Sequence, residues 1–309
     1  MSKYYKGACF SAILSFCQIS ATILIMFIID CLPFSKSLNK EFLSYFGPKN
    51  LPAGSIIKIN IRNKNVPALV IKSREAAGIK TEIKSANFQL KKITALTAKP
   101  FLQKEFLEAA KITAEYFAAN LGNLLPHLIP SSILENPKML SKAPFLEPLS
   151  KGAFDSENKK EASVLQAPDE DRITLYKSFV REEFAKKKSV FLCLAQNEDV
   201  RQIKEKLERG IETYVCAFHN EMGKKDLNKE WKKANQPHPV LIVATPQWLF
   251  LPRKDFDAII IDKENESGWK TLSRPFIDLR FFAETLSKTK NIRFIIGDSF
   301  LRTETLYRY

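Results

Sequence analysis

The chain has 309 residues, 45% of them hydrophobic, which is enough to fill two cores and excludes a mainly disordered protein. Lys and Arg number 48 against 34 Asp and Glu, so the net charge is +14 and polyanions such as nucleic acid or anionic lipid are the favoured partners. Five Cys without a Cys-x-x-Cys spacing argue against a disulfide framework or a zinc cage and indicate a reducing compartment.

Residues 1–25 form an apolar extension. The run from Ala8 to Ile29 carries only Gln18 among strongly polar side chains, and about 20 apolar residues span a bilayer. One hypothesis is therefore a membrane anchor over residues 8–29. The other, which we favour, is that translation starts at Met26, that the following residues form a strand, and that the protein is cytoplasmic.

Residues 26–135 are predicted to form a small β-rich domain that closes with a helix. Apolar runs between turn signals predict strands at Met26–Ile29, Ser55–Ile61 and Pro67–Ile71, with turns at Gly47-Pro48, Pro52-Ala53-Gly54 and Asn63-Lys64-Asn65. A helical stripe predicts a helix over Lys104–Asn120, closed by Gly122. We expect a small barrel or sandwich.

The positive charge is concentrated in this first domain. Residues 26–135 hold 15 Lys or Arg against 8 Asp or Glu, whereas residues 164–309 hold 26 against 22. A cationic β-domain with exposed aromatic residues suits the binding of DNA phosphates. The alternative is that Lys58, Arg62, Lys64 and Lys72 are only the solvated face of alternating strands.

Residues 136–163 have a linker composition, and residues 164–309 alternate strands with helices as in a RecA-like parallel α/β sheet. The buried strand Ala258–Ile261 ends in Asp262 and Glu264, the layout of a Walker B motif, in which one acid holds Mg²⁺ and the other orients water. A phosphate-binding loop requires glycines, and none occurs between Gly152 and Gly210.

These elements resemble the primosomal protein N′ (PriA) family of replication-restart helicases. The family's strand ends in Asp-Glu-Glu-His where this chain has Asp262-Lys263-Glu264-Asn265, and a basic helix over Lys224–Ala234 contains Trp231 where the family helix ends in Trp. In the first domain, the spacing of Phe42–Phe46, Pro52–Ser55 and Lys58–Arg62 resembles the family's 3′ DNA-end-binding domain.

The resemblance implies a DNA-binding site formed by Ser44, Tyr45, Gly54, Lys58, Arg62 and Lys64. Arg62 stands where the family has Gly, so a side chain occupies space beside the terminal nucleotide. Carboxylates at Asp169–Asp171 stand where the family binds triphosphate, and like charges oppose binding there. The linker is too short for the family's winged-helix domain, and the sequence ends before its zinc-binding cysteines and second motor lobe.

We therefore predict a DNA-binding protein of replication restart that binds 3′-ended or branched DNA without ATPase or helicase activity. Its predicted partners are DNA forks and primosome proteins rather than a membrane, and we expect no ATP, Mg²⁺ or zinc as cofactor. Two alternatives stay open. One is an active ATP-dependent 3′–5′ DNA helicase with an unusual nucleotide site, and the other is a membrane-anchored basic protein.

Overall fold

The computed structural model describes residues 26–34, 42–76, 90–93, 95–98, 100, 102–135 and 162–309. The apolar extension 1–25 and almost all of the linker 136–163 lie outside the described residues. Of the anchor proposed for residues 8–29, only its last four are described, and Phe27–Ile29 lie in a β-strand. In the described part of the chain, no helix is long and apolar enough to cross a membrane.

A six-stranded, mostly antiparallel sheet organises residues 26–98, and with the helices to residue 135 we call this part the β-domain. Its strand order is β5-β2-β1-β4-β3-β6. The strands are β1 (Phe27–Pro33), β2 (Leu43–Gly47), β3 (Ile56–Ile61), β4 (Lys64–Glu75), β5 (Lys91–Lys92) and β6 (Ala95–Ala98). Alternate apolar residues such as Ile29, Ile57 and Ile59 form a core on one face, as the period of a strand requires.

The turn between β3 and β4 lies one residue earlier than predicted. Arg62 and Asn63 are its two central residues, with φ of 48° and 62°, whereas Lys64 and Asn65 already belong to β4. Two positive φ angles are typical of the type I′ turn that joins tightly twisted antiparallel strands.

Three helices follow: α1 (Lys104–Tyr116), α2 (Leu121–Leu128) and α3 (Ser131–Glu135). The predicted helix over residues 104–120 is shorter, and Gly122 does not close it but lies inside α2. A Cβ at Gly122 would come within 2.7 Å of the Pro33 carbonyl oxygen, so glycine lets α2 pack directly against the end of β1.

The second sheet is parallel, and with its helices we call it the α/β lobe. Its strand order is β7-β12-β11-β8-β10-β9. The strands are β7 (Ala162–Gln166), β8 (Ser189–Cys193), β9 (Val215–Phe218), β10 (Leu241–Ala244), β11 (Phe256–Asp262) and β12 (Arg293–Asp298). The helices are α4 (Asp169–Ala185), α5 (Asn197–Leu207), α6 (Lys224–Ala234), α7 (Leu279–Lys290) and α8 (Thr303–Arg308). This alternation confirms the predicted RecA-like α/β architecture beside a β-rich domain.

One apolar cluster joins the two parts. On one face of the parallel sheet, apolar residues of α4 and α5 pack against the strands. On the other face, apolar residues of α6 and α7 form one continuous hydrophobic cluster with residues of α1–α3. Phe106 of α1 meets Phe282 of α7 edge to face, with ring centroids 5.3 Å apart. Tyr116 stacks on Phe281 at 4.1 Å. Aromatic pairs of this kind contribute beyond the area that they bury.

Candidate functional site

The predicted basic residues of the β-domain lie along the β3–β4 hairpin but do not share one face. Arg62 is exposed in the turn. Lys58 alternates with the buried Ile57 and Ile59, so it lies on the outer face of β3. Lys64 pairs with Ile61, on the face that becomes the core further along the strands. The three cations therefore lie on different faces of the β3–β4 hairpin and present charge in several directions.

Arg62 adopts the left-handed backbone conformation that glycine reaches without steric cost. Its φ of 48° lies where a Cβ costs roughly 1–2 kcal/mol. The family glycine at this position therefore suits the backbone geometry as well as close approach by a ligand.

Tyr45 is a core residue rather than an exposed contact. Its side chain is 5% exposed, and its hydroxyl donates to the carbonyl oxygen of Asn60 at 3.1 Å. Because β1 and β4 lie between β2 and β3 in the sheet, this bond crosses the interior and shows that the sheet is curled. Burial, and then the nearby Cys31, raise the pKa of Tyr45. The Tyr45 side chain thus contacts β3 at Asn60, two residues before the hairpin turn.

Ser44 is paired with a carboxylate that the sequence reasoning missed. Its hydroxyl donates to Oδ1 of Asp30 at 2.7 Å, because Ser44 and Asp30 are direct partners on β2 and β1. Arg74 of β4 binds the other oxygen of Asp30 at 2.9 Å. The signal in the sequence was Asp30 itself, a lone acid within the apolar run Met26–Leu32.

Gly54 lies in the turn before β3, with φ of 86°, and its amide donates to the Val70 carbonyl at 2.8 Å. Val70 in turn pairs with Cys31 of β1, so Gly54 bonds to the strand that lies beside Asp30. The turn that contains Gly54 and the hairpin turn at Arg62 lie at opposite ends of β3, about 17 Å apart along the five-residue step of that strand. Ser44 precedes Tyr45, whose hydroxyl reaches the carbonyl oxygen of Asn60 close to the hairpin turn.

The Walker B-like acid of the α/β lobe is held by a buried arginine. Asp262, at the end of β11, accepts from Nε of Arg172 at 2.8 Å and from the Tyr176 hydroxyl at 2.8 Å. Arg172 and Asp262 are each 1% exposed and Tyr176 is 2% exposed. A Cβ at Gly297 on β12 would come within 1.8 Å of the Tyr176 oxygen, so glycine is needed there.

The same guanidinium joins the loop before α4, the first turn of α4 and the loop after β12. It also donates to the Ala167 carbonyl at 2.6 Å, to Oγ of Ser299 at 2.9 Å and to Oδ1 of Asp169 at 2.9 Å. Burial opposes the charge of Arg172, but its bonds to Asp262 and the field of that carboxylate raise its pKa overall. Burial likewise opposes ionisation of Asp169, yet Arg172 and Ser299 lower the pKa of Asp169. A guanidinium therefore fills the space between α4 and Asp262.

Two residues, Ala167 and Pro168, connect β7 to α4. The predicted carboxylates at Asp169–Asp171 form the exposed first turn of α4. There they stabilise the helix through its dipole, whose positive end faces them. The same three charges leave the amino-terminal end of α4 negative rather than ready for a phosphate.

The Glu264 carboxylate is also buried and hydrogen-bonded within the protein. It is 1% exposed and accepts from the Arg302 amide at 2.6 Å and from Oγ1 of Thr305 at 2.7 Å, which anchors α8. A shallow cleft lies between the start of α4 and the ends of β11 and β12. It is lined by Asp169, Lys263, Asn265, Glu266 and Asp298. It contains three carboxylates against one lysine, and Lys263 pairs with Asp199. Among the described residues, no group of three or more His, Cys, Asp or Glu is arranged to hold a metal ion.

Residues 32–130 match the family model of the PriA 3′DNA-binding domain. The matched segment contains the hairpin tip, Ser44 and Gly54. The chain as a whole is similar to PriA proteins. It is 24% identical over 262 residues to replication restart protein PriA of Helicobacter pylori strain 26695, which covers 83% of this chain and 40% of the relative. It is 21% identical over 136 residues to the PriA of Buchnera aphidicola, covering 44% of this chain and 19% of that one.

The chain spans about 40% of the length of the Helicobacter relatives that it matches. Among solved structures, it is similar to the UvsW helicase from bacteriophage T4, with a TM-score of 0.35 and 13% identity over 48% of this chain and 49% of that chain. An XPD helicase matches with a TM-score of 0.30 and 13% identity over 48% of this chain and 32% of that chain.

Proposed function

We propose that this PriA-like chain binds 3′-ended or branched DNA through the β-domain in replication restart, without hydrolysing ATP. The observation that carries the DNA-binding part is the match of residues 32–130 to a 3′DNA-binding domain. Exposed cations at Arg62 and Lys64 on the hairpin tip support it, because cations that contact phosphates release condensed counterions.

The Ser44–Asp30 pair supports recognition of a 3′ hydroxyl. Asp30 supplies the charged acceptor that Ser44 lacks, and hydrogen bonds to a charged acceptor are about twice as strong as neutral ones. A DNA end with a free 3′ hydroxyl is then expected to bind more tightly than one blocked by a 3′ phosphate, which places negative charge against Asp30.

The test compares fluorescently labelled partial duplexes that differ only in a 3′ or a 5′ phosphate. We expect the 3′ phosphate to weaken binding severalfold and the 5′ phosphate to have little effect. In the Asp30→Asn variant the difference between the two blocked ends should shrink. Equal effects of the two phosphates on the wild-type chain would contradict end recognition and leave only nonspecific binding.

The buried Arg172 supports the absence of ATP turnover. Its guanidinium occupies the carboxyl edge of β11 and engages Asp262, and the adjoining cleft is lined mainly by acids. Phosphate release at millimolar Mg-ATP, with and without forked DNA, should equal that of a Glu264→Gln control. A ligand at 100 times its Kd stabilises by about 2.7 kcal/mol, so a clear rise in Tm with Mg-ATP, or phosphate release above the control, would contradict the proposal.

Primosome partners and a cytoplasmic location stay predictions. Pull-down of primosome proteins with the full chain tests the first. Intact mass of the amino terminus in soluble and membrane fractions tests the second, because only a chain that retains residues 8–29 can carry the alternative anchor.

A further inference from the structure

Helix α6 carries a continuous lysine stripe on its solvent side. Lys225, Lys229 and Lys232 are exposed, and with Asn228 and Gln236 they line a shallow open groove. Their spacing of four and three residues places them on one helical face. The opposite face, formed by Leu227, Trp231 and Ala234, is buried against the sheet.

The stripe has little local neutralisation. Of the two carboxylates on α6, Glu230 is buried and accepts the Ala217 amide at 2.9 Å, and only Asp226 is exposed. Within the described residues, Lys225, Lys229 and Lys232 make no ion pair. Three lysines against one exposed acid leave the helix face positively charged, and a polyanion can neutralise that charge.

The position of α6 places this charge on the side of the β-domain helices. Helix α2 packs near the turn at Pro246–Trp248, the Trp248 ring lies 4.9 Å from Phe218, and Phe218 lies 6.5 Å from Trp231 of α6. The layer of helices that carries α6 is therefore the layer joined to the β-domain. The stripe therefore belongs to the helix layer that contacts the β-domain.

We infer that the exposed face of α6 is a second DNA-contacting surface that binds the sugar-phosphate backbone without reading sequence. The inference rests on the proposed DNA binding of the β-domain. Successive lysines lie roughly 4.5 to 6 Å apart along the helix axis, which is between one and two phosphate steps of about 3.4 Å on one strand. The face offers point charges and no exposed aromatic or large apolar side chain, which suits phosphates rather than bases or lipid tails.

The test measures the salt dependence of binding to two DNAs. One is a short 3′-ended oligonucleotide, and the other is a 3′-tailed duplex of about 30 base pairs, roughly 100 Å long at 3.4 Å per step. In the triple variant K225Q/K229Q/K232Q, the log-log salt slope for the long duplex should fall by about 2.7, or roughly 0.9 per lost phosphate contact. Its slope for the short oligonucleotide should not change.

Two matched variants complete the design. K225R/K229R/K232R keeps the charge and should keep the wild-type slope. K177Q/R181Q/K188Q removes three charges from α4 and the turn after it, on the opposite face of the sheet, and should change the slope by less than one. An equal loss in this control, or an unchanged slope in the α6 variant, would overturn the inference.

The outcomes separate this inference from the proposed function. If the wild type binds the long duplex through the stripe but does not bind the short 3′-ended oligonucleotide, the second surface stands and the proposed end binding fails. If the α6 variant loses binding to anionic lipid vesicles while it keeps its slope on DNA, the surface serves a membrane and the inference is wrong. If the wild type binds neither DNA, both fail.

Discussion

Replacing Arg172 with Met removes the only buried cation beside Asp262 among the described residues and keeps most of the side-chain volume. Five hydrogen bonds from the guanidinium disappear, and Asp262 retains only the Tyr176 hydroxyl. Removing one partner of a buried ion pair costs about 3–5 kcal/mol, because the remaining charge stays in the interior without compensation.

The corresponding fall in Tm is about 6 to 20 °C, since 1 kcal/mol shifts the Tm of a unit of about 150 residues by roughly 2–4 °C. Thermal unfolding followed by circular dichroism measures it. The matched control is Arg181→Met on the exposed side of the same helix, which should change stability by less than about 0.5 kcal/mol.

A double variant separates the ion pair from simple packing. In R172M/D262N the orphaned charge is gone, so its destabilisation should be smaller than the sum of the two single changes, with a coupling energy of about 1–3 kcal/mol. A Tm of Arg172→Met close to that of the wild type, or strictly additive single and double variants, would refute the assignment of Arg172 and Asp262 as a structural pair.

Three further predictions concern single positions. Arg62→Gly should leave Tm unchanged or raise it, because glycine relieves a cost of roughly 1 kcal/mol at φ 48°, while the DNA salt slope falls by about 0.9; a lower Tm would contradict this. Burial lowers the pKa of Lys290 to about 8, so wild-type stability should rise from pH 8 towards the unfolded pKa of about 10.4 and be lost again as pH falls through 8. Urea unfolding of Lys290→Met should show no such rise with pH, because the titrating amine is gone. Gly297→Ala should destabilise by more than about 2 kcal/mol through its clash with Tyr176, and adding Tyr176→Phe should recover part of the Tm.

The sequence by itself determined most of the secondary structure of the α/β lobe. Helix α6 spans Lys224–Ala234 as predicted, and β11 extends the predicted strand at Ala258–Ile261 by two residues at its start and one at its end. Strands of a parallel sheet are covered on both faces, so they appear as uninterrupted apolar runs. Amphipathic helices likewise show apolar residues at every third or fourth position of the sequence, because one face of the helix is buried along its whole length.

Only the tertiary structure decided what the candidate site residues do. Arg172 and Asp262 lie 90 residues apart, and Tyr45 reaches Asn60 across a curled sheet. Strand register brings Asp30 to Ser44, and a two-residue turn places Arg62 at a positive φ. Local periodicity reports which residues are buried but not which distant group meets them. The sequence therefore predicted an acidic motif at the end of a strand, whereas the packing of α4 on the sheet decided that a buried arginine binds that acid.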